Sequence, residues 1–278
     1  VFAQPLPART KIGARCLLPF GFGGCTSEMG PSGGSASSVA VVVPALNEEL
    51  ALPKTLAALG QQVPAPQQVV VADAGSEDGT AKVAAAAGAT VVASRRGRAW
   101  QMNAGAAGAA QADVLLFLHA DTQLPLGALA AVQQALADPL VLGGCFQLRF
   151  DDERESLVLW LWGWCTRCWL LRSHRLVFGD RALFVRRSVF EAMGGYREWP
   201  LLEDCDFVLR LRKLGGRRGF AFVPLDVVTS ARRLLEVGPL RQQILNTSIF
   251  LLWYFGVSPA RLREWYSYKK PQSREKVG

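Results

Sequence analysis

The chain has no run of the roughly eighteen apolar residues needed to cross a bilayer. Its longest apolar stretches, Leu157 to Cys165 and Ile249 to Val257, are each about half that length. Both are rich in Trp, Leu or Phe and flanked by arginines. That composition suits peripheral contact with a membrane surface, and it suits helices buried in the core or at a homodimer interface. Also missing are the GxGxxG fingerprint and the GxxxxGK[ST] loop, which disfavours Rossmann-type redox enzymes and phosphate-loop NTPases. No long basic run or nucleic-acid-binding motif is present. The arginines come in pairs (Arg95-Arg96, Arg186-Arg187, Arg217-Arg218, Arg232-Arg233), so no nucleic-acid partner is expected. The six cysteines (Cys16, Cys25, Cys145, Cys165, Cys168, Cys205) lack a disulfide-like spacing and read as reduced. Cys165 and Cys168 form a CxxC without a second pair or histidines, which disfavours zinc. Acid is in deficit: 31 Lys and Arg against 23 Asp and Glu give a net charge of +8. Such a balance favours polyanions, anionic surfaces or phosphorylated substrates.

Acid is scarcest in residues 1–38, where Arg9, Lys11 and Arg15 face Glu28 alone and no periodicity shows. This segment reads as a disordered leader or, being basic and Ser-containing, as a transit segment. The expected location is cytoplasmic, or plastid if the segment is a transit peptide. Residues 257–278 read as a basic C-terminal tail.

From Val39 the pattern changes. Val39-Ala40-Val41-Val42-Val43 is a buried strand, and Pro44-Ala45-Leu46-Asn47-Glu48-Glu49 turns into a helix carrying Leu52, Leu56 and Leu59, its first-turn acids suiting the macrodipole. A second strand, Gln68 to Ala72, ends at Asp73, with Ser76 placed to cap a helix from Ala81 to Ala87. A third, Thr90 to Ala93, leads through Arg95, Arg96 and Arg98 into a helix of small residues ending near Ala110. Leu115 to Leu118, apolar on both faces, is a fourth strand that stops at His119-Ala120-Asp121, and a helix spans about Leu126 to Ala137. Strands alternating with helices predict an α/β fold, a mostly parallel sheet with helices on both faces. Later come a half-exposed strand over Gly144 to Phe150, a Trp-rich helix from about Ser156 to Leu171, and the stretch Val177 to Val185. A capping box at Ser188 and Glu191 starts a short helix. Another helix opens on Glu203-Asp204-Cys205-Asp206 and stops at Gly215-Gly216.

The first half thus brings Glu48, Asp73, the arginines, and His119 with Asp121 to one sheet edge, where ligands bind in open α/β sheets. His119 and Asp121, two residues apart, suit a metal ion or a phosphate. Dipole and capping effects, about 1 kcal/mol at best, rationalise one or two of the acids at 203–206 better than three, leaving one for chemistry.

Residues 41–49 (Val-Val-Val-Pro-Ala-Leu-Asn-Glu-Glu), 71–80 (Val-Ala-Asp-Ala-Gly-Ser-Glu-Asp-Gly-Thr), 96–105 (Arg-Gly-Arg-Ala-Trp-Gln-Met-Asn-Ala-Gly), 118–122 (Leu-His-Ala-Asp-Thr) and 203–207 (Glu-Asp-Cys-Asp-Phe) together resemble family 2 glycosyltransferases of the GT-A fold. The likeness is closer to the small soluble subgroup known as radical-SAM/selenodomain-associated transferase 2. It covers residues 39–256 and implies a nucleotide-binding half over 39–125 and an acceptor half over 126–256. By this resemblance Pro44, Ala45, Glu48 and Ala120 line the nucleotide pocket, Asp73 bonds the base, and Arg96 and Arg98 approach the base or diphosphate. Asp121 matches the last acid of the metal-binding DxD, and His119 replaces the first, which favours Mn²⁺ over Mg²⁺ or weakens the metal site. Asp204 matches the catalytic base, with Glu203 beside it. Arg232 and Arg233 would close over the diphosphate. Asp180-Arg181-Ala182 stands where the subgroup has Asp-Gln-Gly. QxxRW is absent. The implied activity is a single, inverting transfer of a sugar from a UDP- or GDP-type donor to an unidentified acceptor hydroxyl. The alternatives are a nucleotidyltransferase and an inactive binding or membrane-surface protein.

Overall fold

The computed structural model describes residues 37–266 except 110, 152–156, 159, 162–163 and 165–178. Residues 1–36, most of the Trp-rich helix, the CxxC and the end of the tail lie outside the described residues. Ser38 does not belong to a loose leader. Its N–H and hydroxyl both donate to the Asp113 carboxylate, at 2.9 and 2.8 Å.

Eight strands form one sheet in the order β3-β2-β1-β4-β7-β6-β8-β5. They are β1 (Val39–Ala45), β2 (Gln68–Asp73), β3 (Thr90–Ala93), β4 (Val114–Phe117), β5 (Thr122–Gln123), β6 (Gly143–Phe150), β7 (Leu183–Arg186) and β8 (Phe220–Thr229). The first four pair in parallel, as the alternation predicts. Beyond β4 the sheet is mixed: β7 runs antiparallel between β4 and β6, β6 pairs parallel with β8, and β5 pairs antiparallel with β8.

Period-two alternation divides the core between the two faces. Val39, Val41, Val43 and Ala45 pack on one side with Leu116 and Leu118; Ala40 and Val42 pack on the other with Leu115 and Phe117. Each fully buried aliphatic side chain contributes about 1.5–3 kcal/mol. Helices α1 (Leu52–Gly60) and α4 (Ala128–Ala135) contribute Leu52, Leu56, Leu59, Leu129 and Val132 to the first layer. Helices α3 (Arg98–Gly108) and α6 (Glu203–Gly215) contribute Met102, Ala106, Phe207, Val208 and Leu211 to the second. Further helices are α2 (Thr80–Ala86), α5 (Arg187–Ala192), α7 (Arg232–Val237), α8 (Pro239–Tyr254) and α9 (Pro259–Trp265).

Several local expectations are corrected. Strand β6 is buried at six of its eight positions rather than half exposed, because it lies inside the sheet between β7 and β8. In the described part of the stretch 177–185, a 3-10 turn over Gly179–Arg181 precedes β7, which starts at Leu183. Ser76 does not cap α2; its hydroxyl binds Asp73, and Thr80 N–H is taken by Asp78. The Ser188 capping box does not form. Helix α5 starts straight out of β7 at Arg187, whose guanidinium bonds the Ala106, Ala109 and Ala112 carbonyls, and Glu191 pairs with Arg187 at 3.4 Å. Glu48 and Glu49 precede α1, which begins at Leu52 with Pro53 in its first turn.

Near the C-terminus α8 buries Ile249 against Leu202, Cys205 and Leu262, while Leu240, Ile244, Leu251 and Tyr254 face outward, exposed. No described helix is long and apolar enough to cross a membrane.

Candidate active site

Strands β1, β2 and β4 end at the same edge, and the loops after β1 and β2 are bonded together. Asn47, in left-handed backbone (φ 53°), donates its N–H to Ser76 Oγ at 2.9 Å, and its side-chain oxygen accepts from Glu77 N–H at 2.9 Å. Glu48 N–H donates to Thr80 Oγ1 at 2.8 Å, and the Glu49 carboxylate accepts from Gly79 N–H at 3.0 Å. Glu49 therefore serves the start of α2, not the start of its own helix. Asp73 accepts from the N–H groups of Gly75 and Ser76 and from the Ser76 hydroxyl. Pro44 and Ala45 end β1 in register with Ala72 and Asp73. An open concavity of about 240 Å³, lined by Asn47, Glu48, Leu50, Asp78 and Arg232 among others, sits over this loop pair.

The second cluster forms around the end of β4. Leu118 N–H still bonds Val42 in β1, then the chain turns through His119, with Thr122 N–H on the His119 carbonyl at 3.1 Å. The turn is fixed from both sides. Thr55 of α1 donates to the Ala120 carbonyl at 2.7 Å, and Ser230 N–H, past the end of β8, donates to the Asp121 carbonyl at 3.2 Å. Asp204 comes from the first turn of α6, entered through Leu202 in left-handed backbone (φ 63°). Its carboxylate accepts from Gly179 N–H at 2.5 Å and from Cys205 N–H at 2.7 Å. Gly179 separates His119 from Asp204: a Cβ there would lie 3.5 Å from His119 Nε2 and 3.0 Å from Asp204 Oδ2.

Charge couples these pieces. Arg98, at the start of α3, is exposed over part of its surface, with the rest of its side chain desolvated by the surrounding protein. Burial lowers its pKa, and the carboxylates of Glu203, Asp204 and Asp121 raise it by more. Burial, reinforced by the Asp204 charge, pushes Glu203 up to about 7, against the pull of Arg98. Burial also lifts Asp180 to about 6, with Arg181 and Arg98 opposing and Asp204 and Asp121 assisting. Asp180 Oδ1 is buried without a hydrogen-bond partner. In sequence Asp180 is the first residue of a string that departs from the subgroup at Arg181 and Ala182; its membership in the cluster depends on the fold. Of the three acids at the head of α6, Asp206 is engaged structurally, by Arg197 at 2.9 Å and Arg210 at 2.7 Å.

The structure therefore brings Arg98, His119, Asp121, Asp180, Glu203 and Asp204 together. It sets others apart. Arg96 lies on the rim with Glu77 at 3.4 Å, both exposed, a contact worth little. Arg232 reaches Glu48 at 3.8 Å; the Arg233 side chain lies outside the described residues. No three described His, Cys, Asp or Glu side chains converge as a ready-made cation cage. Asp121 and His119 offer one hard and one borderline donor, a set that fits a divalent ion completing its shell with diphosphate oxygens and water.

The family described as Glycosyl transferase family 2 matches residues 40–194, over half of the chain. No curated protein matches significantly. Glucosyl-3-phosphoglycerate synthase from Mycobacterium tuberculosis, solved with Mn²⁺, UDP and glucosyl-3-phosphoglycerate, is 20% identical, with a TM-score of 0.54 over 77% of this chain and 80% of that one. The same enzyme with Mg²⁺ and UDP gives 20% and 0.53 over 77% and 79%. The mannosyltransferase PcManGT from Pyrobaculum calidifontis, with GDP-Man and Mn²⁺, gives 21% and 0.51 over 69% and 56%. The likeness to these structures is one of fold, the GT-A arrangement of a mixed sheet covered by helices. With the family match, it makes this chain a glycosyltransferase belonging to glycosyl transferase family 2.

Proposed function

We propose that the chain moves a sugar from a UDP- or GDP-type donor to an acceptor hydroxyl, once per encounter and with inversion at the anomeric carbon. The observation that carries this reading is the cluster itself: one arginine, Arg98 of α3, facing Asp121 from the turn after β4 and Glu203 and Asp204 from the head of α6.

The bonded loops at 44–51 and 73–80 form the nucleotide platform, with Asp73 toward the base and Pro44, Ala45, Glu48 and Ala120 along the pocket. Sugar transfer leaves a nucleoside diphosphate, whose developing charge must be neutralised. A Mn²⁺ or Mg²⁺ ion held by Asp121 and His119 would supply that neutralisation. The neighbours solved with Mn²⁺ or Mg²⁺ and a UDP or GDP nucleotide support this choice. Arg98 and Arg232 add positive charge from the protein. Asp204 takes the proton of the attacking hydroxyl, its carboxylate oriented by Gly179 and Cys205 N–H. Glu203 keeps its proton to higher pH than an ordinary carboxylic acid, which limits the negative charge beside the base. The sequence lacks the QxxRW string of processive polysaccharide synthases, which supports single addition.

Calorimetric titration with UDP and GDP, each with and without Mn²⁺, tests the donor site. Metal-dependent micromolar binding that Asp121→Ala abolishes is expected. Binding of neither nucleotide under any condition would overturn the reading. The anomeric configuration of product formed from a matched donor tests inversion.

A further inference from the structure

Gln101 is an amide buried in the first turn of α3 to 5% exposure, and the proposed reaction gives it no role. Its Nε2 donates to the Ala45 carbonyl at 2.7 Å and to the Ala72 carbonyl at 3.1 Å. These are the last carbonyl of β1 and the one just before Asp73 in β2. Ala45 and Asp73 are the final register pair of the two strands. Beyond them the chains diverge into the loop bearing Glu48 and the loop that follows Asp73, so the amide spans the point where both loops originate. Gln101 also lies three residues after Arg98, and its own N–H bonds Gly97. One side chain thus ties the origin of both loops to the helix end that carries the cluster's cation.

From this we infer that Gln101 is a positioning residue, one that fixes the donor pocket's loops relative to Arg98; the inference rests on the donor-site reading above. A site whose walls come from three separate elements binds well only if their spacing is held, because small displacements weaken every contact together. The Ala45 carbonyl has a second donor, Ala74 N–H at 3.1 Å, so losing the amide leaves the strand end bonded but untied from α3.

The chain supplies a matched control. Gln62, buried to 3% exposure, likewise spans two backbone carbonyls, those of Ala58 and Pro125. Neither lies in the nucleotide platform. Methionine keeps the length of glutamine and removes both donors. Gln101→Met and Gln62→Met are compared for melting temperature and for calorimetric affinity toward UDP and GDP with Mn²⁺. Both variants are expected to melt lower than wild type by similar amounts. Gln101→Met alone weakens nucleotide binding, by about tenfold, at unchanged stoichiometry. Gln101→Asn, too short to span both carbonyls, serves as a second variant with the same expectation. Wild-type affinity in the Gln101 variants, or an equal loss in Gln62→Met, overturns the inference while leaving the donor site standing. Absence of binding by the wild type overturns both.

Discussion

Glu203 and Asp204 are neighbours in sequence with separate tasks, and substitution separates them. Asp204→Asn keeps the shape but cannot accept a proton. Turnover is expected to fall by about 10²–10⁴-fold, with nucleotide affinity within about twofold of wild type, as measured by initial rates and calorimetry. Glu203 is read through pH. In the folded chain it holds its proton to about 7, whereas an unperturbed glutamic acid releases it near 4.5. Between these values the native state binds more protons than the unfolded one. Stability from this group is therefore fully present below about 4.5 and is lost as pH rises through about 7. Asp180, raised to about 6, slopes the same way over a lower range. Glu203→Gln removes its share, so a plot of melting temperature against pH is expected to be flatter from about 5 to about 7 than that of wild type.

At the scale of elements, α3 is the hub. It bears Arg98, binds β1 and β2 through Gln101, and clamps the chain before α6 through Asn103, whose side chain exchanges bonds of 2.8 and 2.9 Å with Tyr196 backbone. It sits close to the sheet because Gly105 leaves room: a Cβ there would stand 2.3 Å from Val42 Cγ1. Gly105→Ala is expected to cost about 1–3 kcal/mol and to disturb nucleotide binding. Gly60→Ala at the end of α1, with open space around it, is expected to be neutral or slightly stabilising in the same denaturation experiment. The elements legible in sequence were those whose signal is local, such as the apolar runs of β1, β2 and β4 and the helix between Glu203 and Gly215. Caps were misread: the Ser76 hydroxyl is engaged by Asp73 and by Asn47 N–H from the β1 loop, and α5 starts at Arg187, one residue before Ser188. The insertion of β7 between β4 and β6 left no trace in periodicity, since a short apolar strand does not specify its neighbours.

At the scale of the whole molecule, the cluster draws residues 98, 121, 180, 203 and 204 from distant parts of the chain. Its motif-borne members were legible through the family likeness. Asp180 stood at a motif position, but its place in the cluster was not legible, because its perturbation arises from burial and from neighbours that only the fold supplies. The balance of charge in the assembled centre carries a last expectation. Asp121, Asp180, Glu203 and Asp204 face Arg98, so a nucleoside diphosphate arriving alone adds negative charge to a centre already rich in acid. A cation arriving alone finds no ready cage among the described residues. Each component should therefore bind weakly by itself and strongly with the other. A ligand at one hundred times its dissociation constant stabilises the native state by about 2.7 kcal/mol, or about 5–10 °C of melting temperature for a domain of this size. UDP or GDP with Mn²⁺ is expected to produce such a shift, well above the sum of the shifts from nucleotide and metal given separately. Asp121→Ala should reduce the joint shift to that sum. Equal shifts with and without Mn²⁺ would mean that Arg98 and Arg232 neutralise the diphosphate unaided.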